Sequence, residues 1–310
     1  FSSGITDLMD KDIRYLLDFF LTRILLTPLS GTLHPGAGYI DILPDDKGVM
    51  AAAFEDFTTD PDKRPLGDYP SYEACVQSVR EEFGAFCESV MPSLPGEFEE
   101  VRLQSLWQTW SMMVEPDGES DYKRTMVKMI HSIFEAAFVW QQPMQAVWLS
   151  RDKKLAWDVF CSCFDFMDKK GRLMDAVGFK AFFNSDALKP PVHGIMLNWL
   201  MDNGRLADVP LEEKKWLLEH LVQWTDYFFR FRDKDGDGLT EYQGSIETGW
   251  EDATYYTPVG FPLASPDLNT FLALQLEAVA RLGAECGMSS QWCDEWMARA
   301  KALAQKIVEK

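Results

Sequence analysis

Gln141-Gln-Pro-Met-Gln-Ala-Val-Trp-Leu-Ser150, running on into Arg151-Asp-Lys-Lys-Leu-Ala-Trp-Asp-Val-Phe160, is the stretch that decides the fold. Met144, Val147, Trp148, Leu155, Trp157, Val159 and Phe160 recur at three and four residues, the period of a helix, but they spread over more than one face. A helix apolar on several sides packs between neighbours, which suits the inner and outer rings of a helical toroid.

Outward from this stretch the same period predicts helices over 71–91, 97–113, 124–137, 141–150, 152–168, 191–203, 210–231, 267–285 and 289–308. Short Pro, Gly and Asp clusters separate them, at Pro92–Pro95, Pro116–Gly118, Lys169–Gly171, Asp233–Gly238 and Gly283–Ser289. Few strands are expected. An α-solenoid would advertise a fixed repeat, and none is visible, so the expectation is an all-α chain built as an α/α toroid. Near the start, Leu8, Ile13, Leu16, Leu17, Phe20, Leu21 and Ile24 predict one helix over 6–27, ended by Pro28. Loop residues dominate from Ser30 to Tyr69. Residues 1–70 are therefore read as a helix with an irregular arm, and 71–310 as the toroid.

The chain has 310 residues, 49 acidic against 30 basic, for a formal charge of −19. Such a field repels phosphate backbones and anionic bilayers, so neither nucleic acid nor membrane is an expected partner. No apolar run reaches the roughly 20 residues that span a bilayer. Six cysteines without a CxxC pair read as free thiols in a reducing compartment, the cytoplasm. Four histidines show no zinc spacing.

Two stretches carry chemistry. Glu247-Thr-Gly-Trp-Glu-Asp-Ala-Thr254 sets Glu251 and Asp252 after Trp250 in a Gly-containing loop, with Glu247 upstream. An indole stacks on the apolar face of a pyranose while carboxylates take its hydroxyls, and an apolar wall would raise a carboxyl pKa toward general-acid use. An acidic surface loop is the plainer alternative. Asp233, Asp235 and Asp237 follow the start of an EF-hand loop, with Leu239 placed to give a carbonyl and Glu241 at the ninth position, so Ca2+ has a candidate ligand set. Position twelve is Gly244, which removes the bidentate ligand, and a helix-ending polar turn is the favoured reading; no other cofactor is expected. Asp267 is read as the cap of the helix from Leu268, most tryptophans as core, and Tyr122, Lys123 and Arg124 as a solvent-exposed loop.

Taken in order, Trp140-Gln-Gln, Leu155-Ala-Trp-Asp-Val-Phe, Lys189-Pro-Pro-Val-His-Gly, Arg232-Asp-Lys-Asp-Gly-Asp-Gly-Leu, Glu247-Thr-Gly-Trp-Glu-Asp-Ala-Thr and Ser265-Pro-Asp-Leu-Asn-Thr-Phe-Leu resemble the motif string of glycoside hydrolase family 63 and its trehalase-like relatives, over about Ser71 to Lys310. The resemblance implies an (α/α)6 barrel that hydrolyses α-glycosides with inversion. It implies that Glu251, where the family has Asp, is the general acid, with Asp252 as the alternative. Trp140, Gln141, Gln142, Lys189, Pro191, Glu247 and Trp250 would hold sugar.

Three departures qualify this. Glu251 is one methylene longer than Asp, and small misplacements of a catalytic group are costly. Gln141 stands where the family has a hydroxyl-gripping Asp. An inverting enzyme also needs a general base about 6.5 to 9.5 Å from the acid, and the family places that Glu farther downstream than the roughly 60 residues that follow Glu251 here. The expectation is thus an incomplete toroid, whose open flank a second chain or segment would cover. Its function would be α-glucoside hydrolysis, or else carbohydrate binding or scaffolding on the same fold without cleavage. All of this supposes that Trp250 and Glu251 project together into a central cavity.

Overall fold

The computed structural model describes residues 4–10, 14–19, 22–36, 39–57, 68–116, 118, 121–129, 136–178, 187–254 and 256–309. Two compact units divide them, one holding the described residues up to 85 and the other those from 86 onward. In chain order the elements begin with β1 (Gly4–Asp10), β2 (Arg14–Phe19), β3 (Thr22–Ser30), β4 (Thr32–Gly36), β5 (Tyr39–Leu43) and β6 (Ala51–Phe57), then α1 (Tyr72–Val90) and α2 (Gly96–Ser111).

The first unit corrects the expected helix over 6–27. Its strands run antiparallel in the order β1-β2-β3-β6, with β4 and β5 as a separate hairpin. Leu16 pairs with Leu25 and Leu17 with Ile24 in one ladder, while Leu25 and Leu26 lie opposite Glu55 and Phe54 in the next. A leucine-rich run fits either period, and here the partner strand at 51–57, distant in sequence, decides. Leu25, Leu26 and Thr27 are buried, and Tyr69 donates its hydroxyl hydrogen bond to Glu55.

The second unit continues with β7 (Met113–Val114), β8 (Met126–Val127), β9 (Ala136–Phe138), α3 (Gln142–Trp148), α4 (Lys153–Cys161), β10 (Ala176–Gly178), α5 (His193–Asp202) and α6 (Leu211–Phe231). It ends with β11 (Glu241–Tyr242), α7 (Ser245–Thr248), α8 (Tyr256–Val259), β12 (Leu263–Ala264), α9 (Pro266–Glu285) and α10 (Ser290–Glu309). The strands here are two or three residues long, paired β7 with β8, β9 with β10 and β11 with β12. The long elements are helices packed on helices, the all-α toroid class that the periodicity indicated. No helix among the described residues is long and apolar enough to cross a membrane.

Helix α9 is the axis of this packing, set against α5, α6 and α10. Leu268, Leu272, Leu276, Val279 and Leu282, spaced by three and four, are buried on it; burying each such side chain contributes roughly 2 kcal/mol. Hydrogen bonds join it to its neighbours. Gln275 donates to Thr225 Oγ1 of α6 at 3.0 Å and Asn198 of α5 donates to Leu274 O at 3.1 Å. Gly194 of α5 lies directly on the Gln275 backbone, where a Cβ would not fit.

The helix expected over 124–137 is replaced by β8 and β9, with 130–135 outside the described residues. Non-local partners outweigh the local period here: Gln142 hydrogen-bonds both backbone groups of Val127, and Arg124 pairs with Glu213 at 3.1 Å and Asp165 at 3.3 Å under the Trp216 ring. Arg124 is thus an internal ion-pair hub rather than a solvent-facing residue. Tyr122, likewise, donates to Gly178 O at 2.7 Å. Trp157, Trp224 and Trp296 are core as expected, whereas Trp107, Trp148 and Trp199 are exposed. The cap position of α9 is Ser265, and Asp267, inside the first turn, accepts the Tyr242 hydroxyl at 2.8 Å.

Candidate functional site

The site is assembled at the loop between α7 and α8, and its foundation is Glu247. This residue is 3% exposed. Its Oε1 takes Arg232 Nη2 at 2.6 Å and Leu188 N at 3.1 Å; its Oε2 takes Gln243 N at 2.6 Å and Arg232 Nη1 at 3.1 Å. One carboxylate therefore fastens the end of α6, the loop before α5 and the loop before α7. A buried charge is tolerated because a bidentate guanidinium and two amides satisfy it. The sugar contact expected of Glu247 would have to share oxygens that these four bonds already use.

Beyond it the chain turns sharply. Gly249 has φ +73°, and a Cβ there would meet the Trp140 indole at 2.8 Å, so only glycine suits both the conformation and the close approach. Thr248 Oγ1 accepts Trp250 N at 2.8 Å, and Ala253 N donates to Trp250 O at 2.9 Å. This turn presents Trp250, 68% exposed, and Glu251 and Asp252, both exposed. Among the described residues the pair stands at an exposed surface, without the central cavity on which the sugar-cleaving expectation depended.

Lys189 connects the parts. Its side chain is 8% exposed, and its ammonium donates to Ile246 O and to Glu251 Oε1, the latter at 3.1 Å. The same ammonium lies 5.6 Å from the centre of the Trp140 ring. A cation over an indole face and against a carboxylate holds all three in one patch. Glu251's own backbone N–H, and then Lys189, hold its carboxyl below the ordinary value. Burial raises it by less than these contacts lower it.

Asp175 is the residue that the motifs did not signal. The β9–β10 ladder pairs Ala176 with Phe138, and Val139 N donates to Asp175 O at 3.0 Å, which sets Asp175 beside Trp140. It is 5% exposed, and among the described residues its Oδ1 has no hydrogen-bond partner. Burial raises its carboxyl from 3.8 to about 6 against the pull of Lys189, while Glu251 and Glu247 push it further up. Its trace in the sequence is one acid inside Leu173-Met-Asp-Ala-Val177, an apolar run with no other charge.

Other expected contacts resolve differently. Gln142 is fully buried and gives its amide to Val127 and to Phe138 O, so it braces β8 and is not free for a sugar. Pro191 is buried ahead of α5. Gln141, the cap position of α3, remains half-buried beside Trp140. A recess of about 380 Å³ lies among Arg232, Lys234, Gln243, Ile246 and Glu247.

Asp233, Asp235 and Asp237 bring carboxylate oxygens within 4.8 Å of one another. Each also accepts a backbone N–H of its own loop, from Gly238, Asp237 and Leu239 in turn. Lys306 donates to the Asp237 carbonyl. Glu241 is buried in β11 and stands outside that trio.

Against this geometry the comparisons can be set. The model of the mannosylglycerate hydrolase MGH1-like glycoside hydrolase domain matches residues 137–310. No curated protein matches. Similar solved structures come from Thermus thermophilus. One is an uncharacterized conserved protein, 16% identical, TM-score 0.48, with 58% of this chain and 60% of that one covered. A GH63 mannosylglycerate hydrolase in complex with glucose is 16% identical, TM-score 0.47, with 57% and 58% covered. The same hydrolase with Tris and D-glycerate is 14% identical, TM-score 0.49, with 58% and 60% covered. The chain thus spans about three fifths of the length of the solved structures it matches.

Proposed function

The chain belongs to the mannosylglycerate hydrolase MGH1-like glycoside hydrolase family, and from that premise we propose that it is the sugar-binding and acid-bearing part of an inverting α-glycosidase. Trp250 and Glu251 do not share the expected central cavity, and what carries the reading in its place is the family match together with the Trp140–Lys189–Glu251 patch: an indole face and a carboxylate tied side by side through one buried ammonium. A pyranose bound at this patch would have Glu251 as its proton or hydrogen-bond partner, with Trp140, Trp250 and Gln141 as its proposed contacts. Glu251 is the proposed general acid, with the exposed Asp252 as its less favoured neighbour. In the open site Glu251 is ionised; a stacked sugar removes water from it and moves its pKa up, toward proton donation. The substrate class is an α-linked glucoside or a related sugar, and the general base is contributed from outside the residues assigned here.

The test is turnover. A full-length protein assayed on a panel of α-glycosides should release the anomer opposite to that of the substrate, followed by NMR. Glu251→Gln should lower kcat by about a thousandfold or more, the scale of losing an acid catalyst. A complete chain inert on every α-glycoside rejects the reading.

The Lys189–Glu251 ion pair supports a second reading, carbohydrate binding without cleavage, because a carboxylate held ionised accepts sugar hydroxyls well. Calorimetry in which sugar affinity survives Glu251→Gln, with no turnover by the unaltered protein, favours that alternative. For residues 233–237 the favoured role is a polar turn, since each carboxylate accepts a backbone N–H of its own loop and Lys306 ties the Asp237 carbonyl. Millimolar calcium should leave the Tm unchanged, and a rise of several degrees would restore the ion-site reading.

A further inference from the structure

The Lys189 ammonium has three N–H donors, and the fold engages all of them. It donates to Ile246 O and to Glu251 Oε1, the latter at 3.1 Å, and it lies over the Trp140 ring, 5.6 Å from its centre. The side chain is 8% exposed. Backbone on both sides of this contact is tied down. Leu188 N, one residue before Lys189, is bonded to Glu247, and so is Gln243 N ahead of α7. Thr248 Oγ1 holds Trp250 N, next to Glu251. The part able to move is the Lys189 side chain, a charge on a flexible four-carbon stem.

One ammonium thus takes up an indole face and a carboxylate oxygen, the two groups with which this patch would hold a sugar. We propose that Lys189 is a gate on the sugar site: it covers the Trp140 face and Glu251 Oε1, and a sugar binds by displacing it. The gate rests on the reading of this patch as a sugar site, and it reverses the expectation that Lys189 is itself a sugar contact. Displacement withdraws the positive charge from Glu251, so its carboxyl, held below the ordinary value by that contact, rises as the sugar enters. Binding and readiness to donate a proton are then coupled through one side chain, a positioning residue that acts through Trp140 and Glu251. Other charges nearby do not stand in for the lysine. Glu247 is neutralised by Arg232 at 2.6 Å, Asp252 is exposed and of like sign, and buried Asp175, raised to about 6, is uncharged where Glu251 titrates.

Lys189→Met tests this, because it keeps an unbranched stem and removes the ammonium. In the full-length protein, calorimetry with a panel of methyl α-glycosides should show binding about three- to tenfold tighter in Lys189→Met, the scale of a cation–π contact and a part-exposed ion pair that no longer have to be broken. Lys189→Arg keeps the cation and should bind no tighter than the unaltered protein. In a 13C titration of the unaltered protein, saturating sugar should raise the midpoint of the Glu251 carboxyl, and Lys189→Met should raise it without sugar.

Equal or weaker binding by Lys189→Met overturns the gate, since the ammonium is then a bystander or a sugar ligand. So does a Glu251 midpoint that stays low while sugar is bound, because the ion pair would still be intact. If neither protein binds any member of the panel, the sugar-site reading fails and the gate falls with it, whereas binding by the unaltered protein that Lys189→Met weakens sinks the gate alone.

Discussion

Glu247 and Glu251 are the same residue type four positions apart, on either side of Gly249, and they do opposite work. Glu247 is buried, and both its oxygens are taken up by Arg232, Leu188 and Gln243. Glu251 is half exposed, is paired with one lysine, and has room for a ligand. A carboxylate with no unused capacity is architecture. One with unused capacity beside an aromatic face can take a ligand.

The comparison breaks first at Glu247. Glu247→Ala leaves Arg232 buried without its partner and frees one helix end and two loops, so chemical denaturation should show a loss of about 3–5 kcal/mol. A loss under about 1 kcal/mol would mean that the clamp is not the foundation of the site.

Asp175 comes next. Its folded-state pKa is raised from 3.8 to about 6, so the native state holds the proton more tightly than the unfolded chain does. The stability it contributes is present below about pH 4 and is lost as pH rises to about 6, by roughly 3 kcal/mol. Asp175→Asn should flatten that part of the stability–pH curve and make the protein more stable at neutral pH, as followed by thermal denaturation.

Gly249→Ala sharpens the divide between the two glutamates, because it strains the turn that separates them. The left-handed backbone and the contact with Trp140 together should cost about 1–3 kcal/mol, with a changed fluorescence of the exposed Trp250. Smallest is the effect of Glu251→Gln on folding. An ion pair half open to solvent is worth about 1 kcal/mol or less, so denaturation midpoints should barely move. A Glu251 as costly to remove as Glu247 would erase the contrast.

What was legible varied along the chain for physical reasons. Helices α5, α6, α9 and α10 were plain because their apolar residues repeat over ten to twenty-one residues and Pro or Gly punctuates their ends. The runs at 6–27 and 124–137 misled because the deciding partners, β6 for one and Gln142 for the other, lie outside the run itself. In the site, the motifs drew attention to the turn and to Lys189, Trp140 and Glu251. They could not tell Gln142, sealed in the core, from Gln141 beside the indole.

By itself the sequence determined the helical class, the acidic character, the family resemblance and the turn that carries Trp250, because these follow from composition, local period and motif order. Tertiary structure alone decided which carboxylate is clamped and which is open, that Lys189 bridges Trp140 and Glu251, and that Asp175 belongs beside them. Those outcomes depend on burial and on distances of a few ångströms between residues tens of positions apart, and no local pattern encodes them.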